Sequence, residues 1–167
     1  METHENAVRV TYCHEILINA PARTIFSLAC PREELKWIEN WEYELIYSDS
    51  GHNENNCIFA ERMSSPVLFE TPDVTHWYTT LYNRDDLKVQ FLLTCAGKAL
   101  IKWDFVLILI SNETSRGTWS ITLTSLSKDV DRIGRQVLEE RLAGIIGFLS
   151  QALKYYCETG SMLKLTE

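Results

Sequence analysis

The chain has 167 residues and a formal charge of −7, and 46% of its residues are apolar and 23% are charged. This length and balance are typical of a single folded domain with a sizeable core, and they exclude an intrinsically disordered chain. The negative charge, without any run of Lys or Arg, argues against nucleic acid or an anionic membrane surface as the main partner, because both attract basic patches.

The amino terminus and the cysteines lead us to expect a cytoplasmic protein. Residues Met1–Asn6 lack the basic and apolar regions of a signal peptide. The most apolar segment, Phe105–Ile110, is far shorter than the roughly 20 residues that span a bilayer, so we predict a buried strand there and no membrane insertion. The five cysteines are spread along the chain without a C-x-x-C pair, which favours reduced thiols.

The first predicted elements are a strand and two short helices. Residues Ala7–Ile18 are rich in Val, Ile, Tyr and Thr, with alternating apolar positions, and this pattern is typical of a half-buried strand. Pro21 ends that strand and suits the first turn of a helix, since its missing N–H has no partner there. We therefore predict helices over Ala22–Ala29 and Arg32–Trp37.

The middle of the chain predicts an antiparallel succession of strands. In chain order, these are Trp41–Ser48, Cys57–Ser64, Val74–Tyr82, Leu87–Ala96, Ala99–Ser111 and Thr118–Leu126. Polar or Pro-containing connections separate them, namely Asp49–Asn56, Ser65–Asp73, Asn83–Asp86 and Asn112–Gly117. Because sheets twist, so many consecutive strands should curl, and their concave face needs a cover.

The last predicted element is a long helix over Asp129–Gly160. Its apolar residues recur at steps of three and four, and at about 1.5 Å per residue it would run to roughly 45 Å. Ser127 or Asp129 can cap its start, and Gly160 is suited to its end. The pattern predicts an α+β fold in which this helix covers the sheet.

Several segments carry a likeness to a known superfamily. They are Ile18–Phe26 (INAPARTIF), Trp37 with Trp41, Tyr47–Gly51, Cys57-Ile58-Phe59 and Thr75-His76-Trp77. With the terminal helix, these segments resemble the START-like or SRPBCC superfamily, which includes birch-pollen-type allergens and polyketide cyclase/dehydrase-like proteins. The likeness covers residues 7–160, so we expect the whole chain, 1–167, to be one domain. The resemblance implies a helix-grip fold, in which a curved antiparallel sheet of about six or seven strands wraps around the helix and encloses an apolar cavity.

The resemblance also implies a class of ligand, because members bind lipids, sterols, polyketides or other apolar molecules and some catalyse reactions on them. No superfamily-wide catalytic motif can be carried over. The residues that we predict to line such a cavity are Trp41, Phe59, Trp77, Phe91, Trp103, Gly144, Phe148 and Tyr155, with Trp119 as a further aromatic candidate. The alternative is that each is ordinary core, since alternation alone does not tell the concave face from the convex one.

Two glycines inside the terminal helix, Gly144 and Gly147, need an explanation because each costs roughly 1 kcal/mol relative to alanine. Either the helix comes close to the sheet there, or the glycines leave room for the cavity. Both explanations stay open at the level of sequence.

His76 is the most suggestive titratable residue, since imidazole can act as acid or base near neutral pH. Glu61, Arg62, Tyr78 and Asp104 could join it in the cavity, and the alternative is a structural or solvent-facing histidine. The sequence has no nucleophile elbow, P-loop, dinucleotide fingerprint or zinc-binding H-E-x-x-H, so no metal site and no cofactor are predicted.

Three functions follow as hypotheses. The first is binding or carriage of a hydrophobic small molecule without catalysis. The second is a cyclase/dehydratase-type enzyme, in which His76 with Tyr78 or Asp104 moves a proton on a polyketide-like substrate. The third is a protein-interaction module that resembles the co-chaperone branch of the superfamily. The sequence leaves the oligomeric state open, with a homodimer as one option.

Overall fold

The computed structural model describes residues 7–62, 68–69 and 74–164, apart from the side chain of Arg62. Within these residues the chain forms seven strands and four helices. In chain order they are β1 (Arg9–Ile18), α1 (Ala22–Leu28), α2 (Pro31–Glu34), β2 (Glu42–Tyr47), β3 (Ile58–Arg62), β4 (Thr75–Asn83), β5 (Lys88–Cys95), β6 (Ala99–Ser111), β7 (Thr114–Ser125), α3 (Lys128–Ile133) and α4 (Arg135–Thr159).

The seven strands form one antiparallel sheet in the order β1-β7-β6-β5-β4-β3-β2. Strands β2 to β7 follow one another as a meander, and the first strand pairs with the last. This topology confirms the predicted α+β class, the strand number and the curved sheet with a long terminal helix. Most of the predicted connection Ser65–Asp73 lies outside the described residues.

The hairpin between β6 and β7 is tighter than predicted. The polar stretch Asn112–Gly117 predicts a loop, but β7 begins at Thr114. Thr114 pairs with Ser111 of β6. The predicted loop is therefore wrong for four of its six residues, Thr114–Gly117. Ser115 shows why polar residues are tolerated there, because its buried hydroxyl donates a hydrogen bond to the Ala20 carbonyl at 2.9 Å.

The apolar segment Phe105–Ile110 is a strand, as predicted, but only its first half is buried. Phe105 and Leu107 are almost inaccessible, whereas Ile108, Leu109 and Ile110 are between 43% and 58% exposed. The end of the β6–β7 hairpin carries these three residues away from the core. Their apolar character therefore predicts the strand correctly and its burial wrongly.

The predicted terminal helix is two helices. At Gly134 the backbone takes φ 84° and ψ 155°, a conformation that residues with a side chain rarely adopt, and this turn separates α3 from α4. Of the two predicted caps, Ser127 acts at the start of α3, where its Oγ accepts from the Val130 N–H at 3.3 Å. Gly160 ends α4 in the left-handed conformation, as predicted.

Helix α4 lies against the concave face of the sheet and is anchored to β1 at one edge. The Lys154 ammonium donates to the Leu17 carbonyl at 2.8 Å, and Ser150 Oγ lies 3.1 Å from His14 Nε2. The backbone of α4 comes closer to β1 than to any other strand. Within the described part of the chain, no helix is both long and apolar enough to cross a membrane.

Neither explanation offered for the glycines in α4 fits the structure. A Cβ added at Gly144 or Gly147 would meet no atom within 4 Å, so close packing on the sheet does not require them, and neither glycine lines the cavity described below. The space beside the helix at these positions is open.

We expect Gly144→Ala to raise the free energy of unfolding by about 0.5–1 kcal/mol, because alanine is the better helix former and meets no clash. Urea denaturation measures this. Gly160→Ala is the control and should destabilise the protein, since its φ of 71° disfavours a side chain. A loss of stability in Gly144→Ala would show that the glycine has a packing role.

Candidate ligand-binding cavity

A cavity of about 140 Å³ lies between the concave face of the sheet and the helices. Strands β3 to β7, helix α4, the α1–α2 segment (residues 22–41, which include the stretch that follows α2) and the short stretch 68–69 form its walls. The lining residues are Ala29, Glu34, Trp37, Ile38, Trp41, Phe59, Glu61, Leu68, Phe69, Thr75, Trp77, Val89, Phe91, Leu93, Cys95, Ile101, Trp103, Phe105, Trp119, Leu142, Ile145, Leu149 and Leu153.

The sheet wall is aromatic because of its register. Phe59 lies opposite Trp77 on neighbouring strands, and Phe91 lies opposite Trp103, so both pairs project from the same face. The rings touch in a continuous cluster. The Phe59 and Trp77 centroids are 5.4 Å apart and nearly parallel, while Trp77 lies 5.3 Å from both Phe91 and Trp103. Ring contacts of this kind stabilise a rigid apolar wall.

Two further tryptophans hold the α1–α2 segment over the sheet. The indole N–H of Trp37 donates to the Leu28 carbonyl at 3.0 Å, and that of Trp41 donates to the Pro31 carbonyl at 2.9 Å. Both bonds are buried, so they fix this side of the cavity with little cost in unpaired polar groups. By contrast, the buried indole N–H of Trp77 has no hydrogen-bond partner among the described residues.

Two glutamates interrupt the apolar lining. Glu61 follows Phe59 by two positions on β3, so it projects from the same face, and its side chain is buried with a residual exposure of 8%. Glu34 is half-buried at the end of α2. Within the described chain, Glu61 Oε2 has no hydrogen-bond partner, and no Lys, Arg or His lines the cavity.

This environment favours the neutral form of both carboxyl groups. Burial raises the pKa of Glu61 from 4.5 to about 8, and the neighbouring Trp77 indole N–H opposes the rise. Burial likewise raises the pKa of Glu34 to about 8, with repulsion from Glu61 adding to it. Near pH 7 the free cavity therefore holds two carboxyl groups that are largely protonated.

The structure divides the ligand-binding residues predicted from the sequence into two groups. Helix α4 turns Leu142, Ile145, Leu149 and Leu153 towards the cavity, a stripe at helical spacing. Gly144, Phe148 and Tyr155 fall outside that stripe and do not line the cavity. The residues that do line it are Trp41, Phe59, Trp77, Phe91, Trp103 and Trp119. That they contact a ligand stays a prediction.

The three catalytic candidates lie outside the cavity. Alternation along β4 turns Trp77 inward, so His76 and Tyr78 lie on the convex face, where His76 is exposed and Tyr78 is 38% exposed. Asp104 lies on the same convex face and is ion-paired with Lys102 at 2.7 Å. The expectation that these side chains meet inside the cavity is therefore wrong.

Of the other residues considered with His76, Glu61 does line the cavity, and the Arg62 side chain lies outside the described part of the chain. Sequence reasoning missed Glu34. As an acidic residue in the first turn of a helix that begins at Pro31, it suits the helix dipole and gives no sign of facing a cavity.

No protein-family model and no curated protein sequence matches the chain. Solved structures do match. A START superfamily protein from Mycobacterium smegmatis superposes with a TM-score of 0.71 at 10% identity, over 90% of this chain and 99% of that one. A norcoclaurine synthase point mutant from Thalictrum flavum gives 0.68 at 12%, over 93% and 98%. The Zhui aromatase/cyclase from Streptomyces sp. R1128 gives 0.63 at 9%, over 93% and 100%.

The protein therefore has the helix-grip fold of the START-like superfamily, and the resemblance drawn from the sequence is confirmed at the level of fold. Identities of 9–12% show a shared architecture and carry no ligand or reaction from one chain to another.

We expect Glu61→Gln to stabilise the protein increasingly as the pH rises from about 5 to 8. The folded state holds the Glu61 proton with a pKa of about 8, against 4.5 when exposed, so its stability is highest below pH 4.5 and falls as the pH approaches 8. Glutamine removes this loss, which amounts to about 1.4 kcal/mol per pH unit for a single group.

Urea denaturation from pH 5 to 9 measures the effect. Glu44→Gln, at an exposed position on β2, is the matched control and should show no such trend. A stability difference between Glu61→Gln and the natural protein that does not change with pH would contradict the buried, raised-pKa carboxyl group.

Proposed function

We propose that the protein binds a hydrophobic molecule about the size of one aromatic ring between the sheet and α4. The observation that carries this proposal is the cavity of about 140 Å³, whose walls are almost entirely aromatic and aliphatic side chains. Concave apolar sites with a few polar groups are the usual form of small-molecule binding sites. Two carboxyl groups supply the polar part here.

The volume narrows the ligand class expected from the sequence. A buried apolar cavity of about 150 Å³ stays dry and admits benzene or xenon, whereas pockets for drug-sized ligands run from about 300 to 1,000 Å³. At about 140 Å³ the present cavity suits a single ring. A sterol, a long acyl chain or a fused polyketide is larger than this volume.

The comparisons support a small-molecule role without naming the molecule. One structure of the same fold is a synthase in complex with a transition state analogue, and another is named as an aromatase/cyclase. The cyclase/dehydratase hypothesis loses its own catalytic candidates, because His76, Tyr78 and Asp104 do not line the cavity. Binding is therefore better supported than catalysis by these three residues, and the apolar cavity favours it over the interaction module.

Intrinsic fluorescence offers a direct test, because all five tryptophans line the cavity: Trp37, Trp41, Trp77, Trp103 and Trp119. Titration with ethylbenzene should change the emission and saturate, with a Kd below about 1 mM, or roughly −4 kcal/mol. An emission that changes only linearly with added ligand would contradict the proposal.

A pair of variants on α4 locates the binding site. Ile145→Phe fills part of the cavity and should weaken ethylbenzene binding at least tenfold. Val137→Phe makes a comparable substitution at a position on the same helix that is 39% exposed and does not line the cavity, and it should change the Kd less than twofold. Urea denaturation confirms that both variants fold. Equal weakening by both would place the ligand elsewhere.

A further inference from the structure

We propose that the ligand of this cavity carries a protonated amine, and that Glu34 and Glu61 hold the ammonium nitrogen while the aromatic wall holds the ring. This inference rests on the function proposed above, since it assigns a chemical class to the occupant of the same cavity. It follows from the placement of the two carboxyl groups, their surroundings and the absence of an opposite charge in the described lining.

The two glutamates come from separate elements and converge on one space. Glu61 is on β3 and Glu34 is on α2, yet each carboxyl group lines the cavity, and they lie close enough for the Glu61 charge to disfavour ionisation of Glu34. Two carboxylates in one apolar space would repel each other, so the free protein keeps both groups protonated, and a bound cation would stabilise their ionised form.

The second observation is an unsatisfied polar atom. Glu61 is more than nine-tenths buried, it lines the cavity, and its Oε2 has no hydrogen-bond partner among the described residues. Buried polar atoms in folded proteins are nearly always hydrogen-bonded, so an exception on a cavity wall points to a partner that enters from the cavity. An ammonium group supplies three donors and no acceptor, which matches a carboxylate.

The Trp77 indole N–H lies beside Glu61 and favours its carboxylate form, but it is neutral, so it cannot balance the charge of an ionised carboxyl group. The walls contributed by α4 and β5 are apolar apart from the Cys95 thiol. The remaining polar groups of the described lining, besides Glu61 and Glu34, are Thr75 and the tryptophan indole N–H groups, and all of these are neutral. The nearby cations Arg141 and Lys98 contact the stretch 68–69. Arg141 donates to the Leu68 carbonyl at 2.9 Å, and the Lys98 ammonium lies 5.7 Å from the Phe69 ring centroid.

The chemistry of the lining favours an organic cation over a metal ion. Ca²⁺ takes six to eight oxygen ligands, and two carboxyl groups in an apolar cavity cannot supply them. The described residues contain no group of three or more His, Cys, Asp or Glu side chains that could hold a metal. Ring faces, in contrast, attract ammonium groups, and tryptophan is the strongest partner. Trp37, Trp41 and Trp77 all line the space that holds the two glutamates.

Binding of such a cation should be coupled to proton release. In the free protein both carboxyl groups have a pKa of about 8 and hold their protons at pH 7. An ammonium group stabilises the carboxylate form, so one or both protons leave when it binds. The affinity for the amine should therefore rise as the pH increases from about 6 to 8, while the affinity for a neutral ring should not change.

Benzylamine and ethylbenzene form a matched pair of probes, because they differ only in a terminal nitrogen or carbon atom. Tryptophan fluorescence titrations at pH 8 should show benzylamine binding at least tenfold more tightly. Glu61→Gln and Glu34→Gln should each reduce this preference at least tenfold, and the exposed Glu44→Gln should leave it unchanged within twofold. An unchanged preference in both cavity variants would overturn the proposal.

Calorimetry on the natural protein tests the proposal without any variant. At pH 7, benzylamine titrations in buffers of different ionisation enthalpy should reveal the release of about one proton per bound ligand, and ethylbenzene should release none. Benzylamine binding without proton release, or binding no tighter than that of ethylbenzene, would overturn the assignment of an amine while leaving ring binding intact. If neither probe binds, the proposed function and this inference both fail.

Discussion

The antiparallel register of the sheet decides which side chains face α4, and the cavity depends on it. Strand pairing places Phe59 opposite Trp77 and Phe91 opposite Trp103, so large rings stand on the concave face side by side. One helix cannot cover a seven-stranded curved face evenly. Because α4 is anchored to β1 through Lys154 and approaches that strand most closely, space remains over the opposite half of the sheet.

The same geometry withdraws Glu61, and in part Glu34, from water. Period-two alternation carries Glu61 onto the face occupied by Phe59, and α2 brings Glu34 to the same space. Burying a carboxylate without a partner is costly, so both groups keep their protons instead, at a pKa of about 8. A molecule that fills the apolar cavity therefore also contacts two carboxyl groups that can ionise when a cation is near them.

The sequence predicts the helices and strands of this fold better than it predicts which side chains point towards the cavity. Alternation and periodicity suffice for the order of strands and for the terminal helical region, and the likeness to START-like proteins adds the helix-grip arrangement. Local patterns did not reveal the break at Gly134, because apolar spacing continues across it and only the positive φ of the folded backbone shows it. The start of β7 was also missed, because its residues are polar and predict a loop. Ser115 is nevertheless buried there, since its hydroxyl donates a hydrogen bond to the Ala20 carbonyl.

The orientation of the strand side chains was harder to predict, because alternation alone does not say which set of residues lies on the concave face of the sheet. His76 and Trp77 are neighbours in the chain and lie on opposite faces, so choosing the wrong face makes an exposed histidine look catalytic. Glu61 could be inferred once Phe59 was placed inside. Glu34 could not, since its position depends on how α2 packs over the sheet, a contact between elements that are distant in the sequence.

The ionisation state of the buried pair tests the central claim most directly. Nuclear magnetic resonance can follow the side-chain carboxyl carbons of Glu34 and Glu61 individually as the pH of the free protein is varied. The structure predicts titration midpoints near 8 for both groups, far above the ordinary 4.5. Midpoints close to 4.5 would show that the two carboxyl groups are hydrated, and they would contradict an apolar cavity between the sheet and α4.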